Sequence, residues 1–398
     1  MGSLTTTEHA AVAAATGTAM MPQVEAWAGI NSGSRNLVGL ADVAALLADT
    51  FSALPGNLDL VESAPVTAVS VAGNTLDVAH GRNLHLVVRP QAPVQLLFTG
   101  HMDTVFGVDH PFQTLRWLED DVLNGPGVAD MKGGIAVMLA ALRAVEGVGA
   151  DHIGYEVVIN SDEEVGSPGS AALIARAAAG KRAALTYEPA ALPDGTLAGA
   201  RPGSGNFSFA VRGKAAHAGR NPEDGRNAVV AAADLALRLD KGKGPRLSVN
   251  VAKVDGGGPN NVVPDGAVLR VNMRPATLED QARAQSLIEV AMAMVRAEHQ
   301  VDIHVHGGFA RPPKPMTPEA EALFGLVRQA GSDLGQAIAW KPTGGVCDGN
   351  NIAACGVPVV DTMGVRGGSI HSMEEYLIVS SLAERAALSA LTILRLGA

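Results

Sequence analysis

Val94-Gln-Leu-Leu-Phe98 runs directly into Thr99-Gly-His101-Met-Asp103, and this join decides the fold. The first five residues are a short apolar run between turn signals, which predicts a buried strand. Tyr155–Ile159 reads as another buried strand, and Leu84–Val88 and Ala183–Tyr187 also read as strands. Helical spacing marks Pro22–Leu54, broken by a turn at Asn31–Arg35, and then Ile135–Val145 and Ser170–Ala179. Strands alternating with helices predict an α/β fold with a mostly parallel sheet.

The pattern changes after Arg201-Pro-Gly-Ser-Gly205. Phe207, Phe209 and Val211 alternate with polar or small residues, as a half-exposed strand does. A helix (Ala228–Leu239), two strands (Leu247–Val254, Ala267–Met273), a helix (Leu278–Glu298) and a strand (Val301–Val305) follow. The order βαββαβ predicts a ferredoxin-like α+β unit with a four-stranded antiparallel sheet. Arg311-Pro-Pro-Lys-Pro315 reads as a linker. Beyond it come helices at Pro318–Leu334 and Asn350–Ala354, a strand at Val357–Thr362 and a helix at Leu377–Leu396. The expected organisation is a domain made of residues 1–201 and 313–398, interrupted by a unit at 202–312.

Composition narrows the function. The chain has 398 residues with 47% hydrophobic, enough for a large core. Its net charge of −10 supplies no field for nucleic acid or anionic membrane, and 4% aromatics supply few stacking surfaces for single strands. No apolar run spans a bilayer, and Met1–Met21 lacks the basic start of a signal peptide. Two cysteines, Cys347 and Cys355, make neither a disulfide framework nor a thiolate metal site, and they suit the cytoplasm.

Histidines and carboxylates gather where ligands bind in open α/β sheets, beyond the carboxyl ends of strands. His101 follows Phe98, with Asp103 placed to fix its tautomer. Asp130 stands in the glycine-dense Gly125–Gly134, either as a helix N-cap or as a ligand. Asp162-Glu163-Glu164 ends an apolar strand; three adjacent acids suit a solvated turn or a cation. Glu188 follows Ala183–Tyr187, and His371 sits in Gly367-Gly-Ser-Ile-His371-Ser. Taken together, these nitrogen and oxygen donors without thiolate suit Zn²⁺ or a similar ion. One ion needs three protein ligands, so the surplus favours two ions sharing a carboxylate.

These motifs, in this order over nearly the whole chain, resemble the M20 metallopeptidases. That family includes glutamate carboxypeptidases, acetylornithine deacetylase and succinyl-diaminopimelate desuccinylase, and the resemblance is closest to the carboxypeptidase G2 type. It extends through Gly213-Lys-Ala-Ala-His217-Ala-Gly219, Asn261-Val-Val-Pro264, Arg274 and Ile370-His371-Ser372. The resemblance implies two zinc ions per subunit, with Co²⁺ or Mn²⁺ as substitutes. His101 and Glu188 would hold one, Glu164 and His371 the other, and Asp130 would bridge them. It further implies a cis Asp130–Met131 peptide, Asp103 behind His101, and Glu163 as the general base that activates the water. The inserted unit would be a lid and dimerisation domain, its His217 stabilising the oxyanion in the partner subunit's site. Asn261 and Arg274 would hold the substrate carboxylate.

The implied activity is hydrolysis of an amide or peptide bond beside a free carboxylate, releasing a C-terminal amino acid such as glutamate. The implied substrate is a small N-acyl amino acid or peptide. An N-acyl-amino-acid deacylase is the alternative within the class, and a non-catalytic metal-binding scaffold the alternative outside it. Val346 and Cys347 depart from the small residues usual in that loop of the family. Nothing in the sequence partners Cys347 with a base, so it reads as a pocket-wall thiol.

Overall fold

The structure is a computed structural model describing residues 4–398. Its main sheet has six strands in the order Asn57–Val61, Asn83–Val88, Ile153–Asn160, Val94–His101, Ala183–Thr186 and Val359–Val360. Val94–His101 runs parallel to both of its neighbours, and Val359–Val360 is parallel to Ala183–Thr186. The other two strands join antiparallel.

Alternation of side chains across the sheet builds two cores. Leu96 and Phe98 pack on one face with the helices Gly133–Gly147 and Ser381–Gly397. Leu97 points to the other face, among Leu173 and Ile174 of Ala171–Ala178 and Ile352 of Asp348–Ala354. Two covered faces explain why this strand is apolar at successive positions. Gly134 has a packing reason as well: a Cβ there would meet the Tyr187 carbonyl oxygen at 1.9 Å. Glycine thus lets the helix start lie against the end of a strand.

The inserted sheet has the order Leu247–Gly256, Gly266–Pro275, Ser204–Arg212, Asp302–Arg311, all antiparallel. With helices Ala228–Asp240 and Leu278–His299 on one face, this is the expected βαββαβ arrangement, with its own core around Phe209, Leu235, Leu269 and Ile288. A hairpin, Val66–Val69 with Thr75–Val78, meets residues of this unit: Arg270 Nη2 donates to the Val69 carbonyl at 2.9 Å, and Thr67 Oγ1 lies 2.9 Å from His306 Nε2.

The connecting segments into and out of the inserted unit run side by side. Arg201 and Lys314 exchange backbone hydrogen bonds of 2.9 and 3.0 Å. Asn350 Nδ2 donates to the carbonyls of Pro202 and Pro312, at 2.9 and 2.8 Å.

The C-terminal helix begins at Ser381, and not at Leu377 as its apolar spacing suggests. Tyr376–Ile378 is a strand, paired with Val122–Asn124 and Gly367–Gly368 in a small sheet. Thr6–Thr16 is a helix as well, closed by a capping box between Thr5 and Glu8. Its alanine-rich sequence carries too little contrast to be read.

Candidate metal centre

Three parallel neighbouring strands deliver the acids and the imidazole to one edge. His101 pairs in register with Asn160, and Thr99 with both Val158 and Thr186. The residues just beyond, Glu163, Glu164 and Glu188, therefore emerge beside His101. Asp130 arrives from a different direction. It sits in a kinked segment, Val128–Lys132, with non-helical dihedrals at Asp130 and Met131 and a cis Asp130–Met131 peptide. It is not an N-cap: the segment is tied by Glu375, whose carboxylate accepts from the N–H groups of Gly127, Ala129 and Asp130 at 3.0–3.1 Å.

The two oxygens of Asp130 face different groups. Oδ1 lies 3.1 Å from His101 Nε2, which is also 3.7 Å from Glu188 Oε2. Oδ2 lies 3.2 Å from His371 Nε2, which is 3.1 Å from Glu164 Oε2. Each triad keeps its donor atoms within 4.8 Å of one another. Burial pushes the carboxyls of Glu164 and Glu188 up, and the charge of Asp130 pushes them further. Burial opposes the charge on His101, yet Asp103, Asp130 and Glu188 still raise it well above the ordinary imidazole range. Asp130 and Glu164 raise His371 to about 11. Several buried acids crowded with two imidazoles are a donor set that divalent cations satisfy, so these residues fit two ions.

Asp103 lies behind this arrangement, fully buried. His101 Nδ1 is 3.0 Å from the Asp103 carbonyl oxygen and 3.3 Å from its Oδ1. The backbone carbonyl thus shares the task of fixing the tautomer. Glu163 lines the cavity but belongs to neither triad. Burial raises its carboxyl to about 8, against the opposing charge of Arg311, whose Nη2 stands 2.6 Å away.

The cavity has a volume of about 480 Å³. Pro189, Ala190, Val346 and Cys347 are in its wall, together with Arg201. Burial pushes the Cys347 thiol well above its ordinary range, the opposite of what a nucleophile needs.

Three expected residues are not brought into the cavity of their own chain. His217 is exposed on the inserted unit, and Asn261 is exposed beside it, its carbonyl accepting from Ala218 N–H. Arg274 donates to the Gly344 carbonyl at 2.9 Å and so touches the loop that forms the wall. Arg311, Glu375 and the buried ion group Arg201–Asp361–Lys314 were not foreseen from the sequence. Their partners are too remote along the chain for any local pattern to reveal them.

Residues 97–395 match the Peptidase family M20/M25/M40. The chain belongs to the M20 peptidase family. It is 34% identical over 336 residues to carboxypeptidase G2 of Pseudomonas sp. strain RS-16, covering 80% of this chain and 78% of that one. To the succinyl-diaminopimelate desuccinylase of Pseudomonas syringae pv. tomato it is 31% identical, over 73% of this chain and 79% of the other. The fold matches a tripeptidase from Staphylococcus aureus with a TM-score of 0.72 at 23% identity, covering 95% of this chain and 97% of that one. As an M20 member the protein is a metal-dependent hydrolase of the metallopeptidase class. No helix among the described residues is long and apolar enough to cross a membrane.

Proposed function

We propose that this M20 enzyme is a di-zinc carboxypeptidase that cleaves an amide or peptide bond beside a free carboxylate. The observation that carries the reading is the division of Asp130 between two donor triads, with Glu163 left free of both. His101 and Glu188 would hold one ion, Glu164 and His371 the other, and Asp130 both. Bound divalent ions polarise a scissile carbonyl and lower the pKa of water.

The remaining chemistry belongs to the chain. Glu163 takes a proton from the attacking water and returns it to the leaving nitrogen. Asp103 holds His101 in one tautomer. His217 Nδ1 accepts from the N–H groups of Gly219 and Arg220, both at 3.1 Å, so its Nε2 carries the hydrogen. That leaves a donor on an exposed side chain, suited to an oxyanion in the partner subunit's site. Arg274 and Asn261 hold the substrate carboxylate, Arg274 through its planar fork. The thiols of Cys347 and Cys355 are both free, in keeping with a cytoplasmic enzyme.

The similarity to desuccinylases favours, second, an N-acyl-amino-acid deacylase with the same ligand set. Metal analysis and a panel of dipeptides and N-acyl amino acids decide. The expected result is two divalent ions per chain and hydrolysis lost on chelation. The carboxypeptidase reading predicts turnover of dipeptides and N-acyl compounds that end in glutamate above that of acetyl and succinyl derivatives of other amino acids. Activity that survives complete metal removal overturns both readings.

A further inference from the structure

Arg311 is the last residue of Asp302–Arg311, an edge strand of the inserted unit. Its guanidinium nevertheless lies in the catalytic half. Nη2 donates to the Glu163 carbonyl and to Ser167 Oγ, both at 3.0 Å, and Nη1 donates to the Val346 carbonyl at 3.3 Å. The same Nη2 stands 2.6 Å from Glu163 Oε1 and 3.4 Å from Asp348 Oδ1. Arg311 and Glu163 expose only 7% and 8% of their side chains. Among the described residues, no other cation is ion-paired with Glu163. Arg201, a buried guanidinium in the cavity wall, is occupied by Asp361 and the Gly345 carbonyl.

Glu163 needs such a partner. Asp103 fixes its backbone N–H, but its side chain keeps rotatable bonds and stands beside Glu164, Glu188 and Asp130. A cation bound by those acids attracts a fourth carboxylate just as strongly. A carboxylate drawn into the ligand set can no longer move a proton.

We propose that Arg311 is the positioning residue for Glu163, holding the base apart from the ligand groups by an ion pair that originates in the inserted unit. The proposal rests on the reading of Glu163 as the base. It also ties the base to the junction between the two units. The arm at Arg311 is clamped there by the Asn350 amide on Pro202 and Pro312.

The test is a double-mutant cycle on the metal-loaded, full-length enzyme, using the N-acyl amino acid or dipeptide that the panel turns over fastest. Arg311→Ala is expected to lower kcat 10- to 100-fold, the scale on which a misplaced catalytic group costs, with metal content unchanged. In the Glu163→Gln background the same substitution should lower the residual kcat less than about twofold. KM rises alike in both backgrounds, because Val346 in the cavity wall loses a hydrogen bond; kcat is therefore the readout. Arg311→Lys keeps the charge and should recover part of the lost kcat. It also serves as the test pair if the alanine variant fails to fold.

Equal losses of kcat in both backgrounds overturn the proposal and leave the base reading intact. So does metal loss from the Arg311 variants that accounts for the fall. A Glu163→Gln enzyme as active as the wild type overturns the base reading, and the Arg311 proposal with it.

Discussion

Asp103 carries the backbone of Glu163: its Oδ1 accepts the Glu163 N–H at 3.1 Å, while its Oδ2 accepts from Glu164 N–H at 3.2 Å and Ser34 Oγ at 2.7 Å. One buried carboxylate thus positions the base and a ligand while it faces His101. Asn at this position keeps the shape but turns an NH₂ toward at least one of these donors. Asp103→Asn should therefore weaken metal binding about 10- to 100-fold and lower turnover as well. Competition with a chelator of known affinity measures the first effect, and kcat at saturating metal the second.

The two neighbouring acids separate by role. Glu163→Gln should keep its metal and lose roughly 10²–10⁴ in kcat, since only proton transfer is removed. Glu164→Gln should lose metal, because it removes one donor from the triad with Asp130 and His371. Elemental analysis beside kinetics distinguishes them. A metal-free Glu163→Gln together with a fully active Glu164→Gln reverses the assignment.

The gathering of His101, Glu163, Glu164 and Glu188 could be anticipated because each follows an apolar strand, and parallel neighbours end on one edge. The inserted sheet is legible because period-two alternation survives where a strand has one buried face, whereas the central strands of the main sheet show as continuous apolar runs because both faces are covered. The edge strand Asn57–Val61 escapes the sequence reading. The supports are not legible. Arg311 meets the Glu163 carbonyl across 148 residues, and Glu375 meets Asp130 across 245. Arg311-Pro-Pro-Lys-Pro315 reads locally as a linker, and nothing in it announces a guanidinium aimed at a base. Tyr376–Ile378 looks helical in the sequence because its apolar residues continue the spacing of the helix after it, whereas its register with Val122–Asn124 is a tertiary fact.

Asp361 links the cavity wall to the core. Arg201 Nε and Lys314 Nζ reach its Oδ2 at 2.7 and 2.8 Å. Burial alone would raise this carboxyl, yet the two cations hold it down at about 2. A depressed folded pKa contributes stability that is fully present above the unfolded value of ~3.9 and lost as pH falls through about 2. Asp361→Asn should cost about 3–5 kcal/mol near neutral pH, because it leaves two buried cations unpaired. The gap between variant and wild type should shrink as pH drops from about 4 to 2. Urea unfolding at several pH values checks this; a gap independent of pH contradicts the linkage.

The last prediction concerns assembly. His217 is exposed and, among the described residues, makes no hydrogen bond or ion pair with a ligand residue of its own chain, so any site it completes lies elsewhere. The inserted sheet offers the means. Leu247–Gly256 is its edge, ten residues long, with no strand on its outer side among the described residues. An exposed edge of that length invites pairing with another chain. A two-fold contact uses the same patch on both subunits, so one such surface can complete two sites. The enzyme should sediment as a homodimer. His217→Ala and Glu163→Gln should each be nearly inactive alone. If His217 serves the partner, a heterodimer of the two variants has one site carrying both lesions and one carrying neither. Mixed subunits should then regain up to about half the wild-type activity per dimer, by counting sites on a two-fold. Absence of recovery, with subunit exchange verified by differential tags, would mean that His217 serves its own chain or no site.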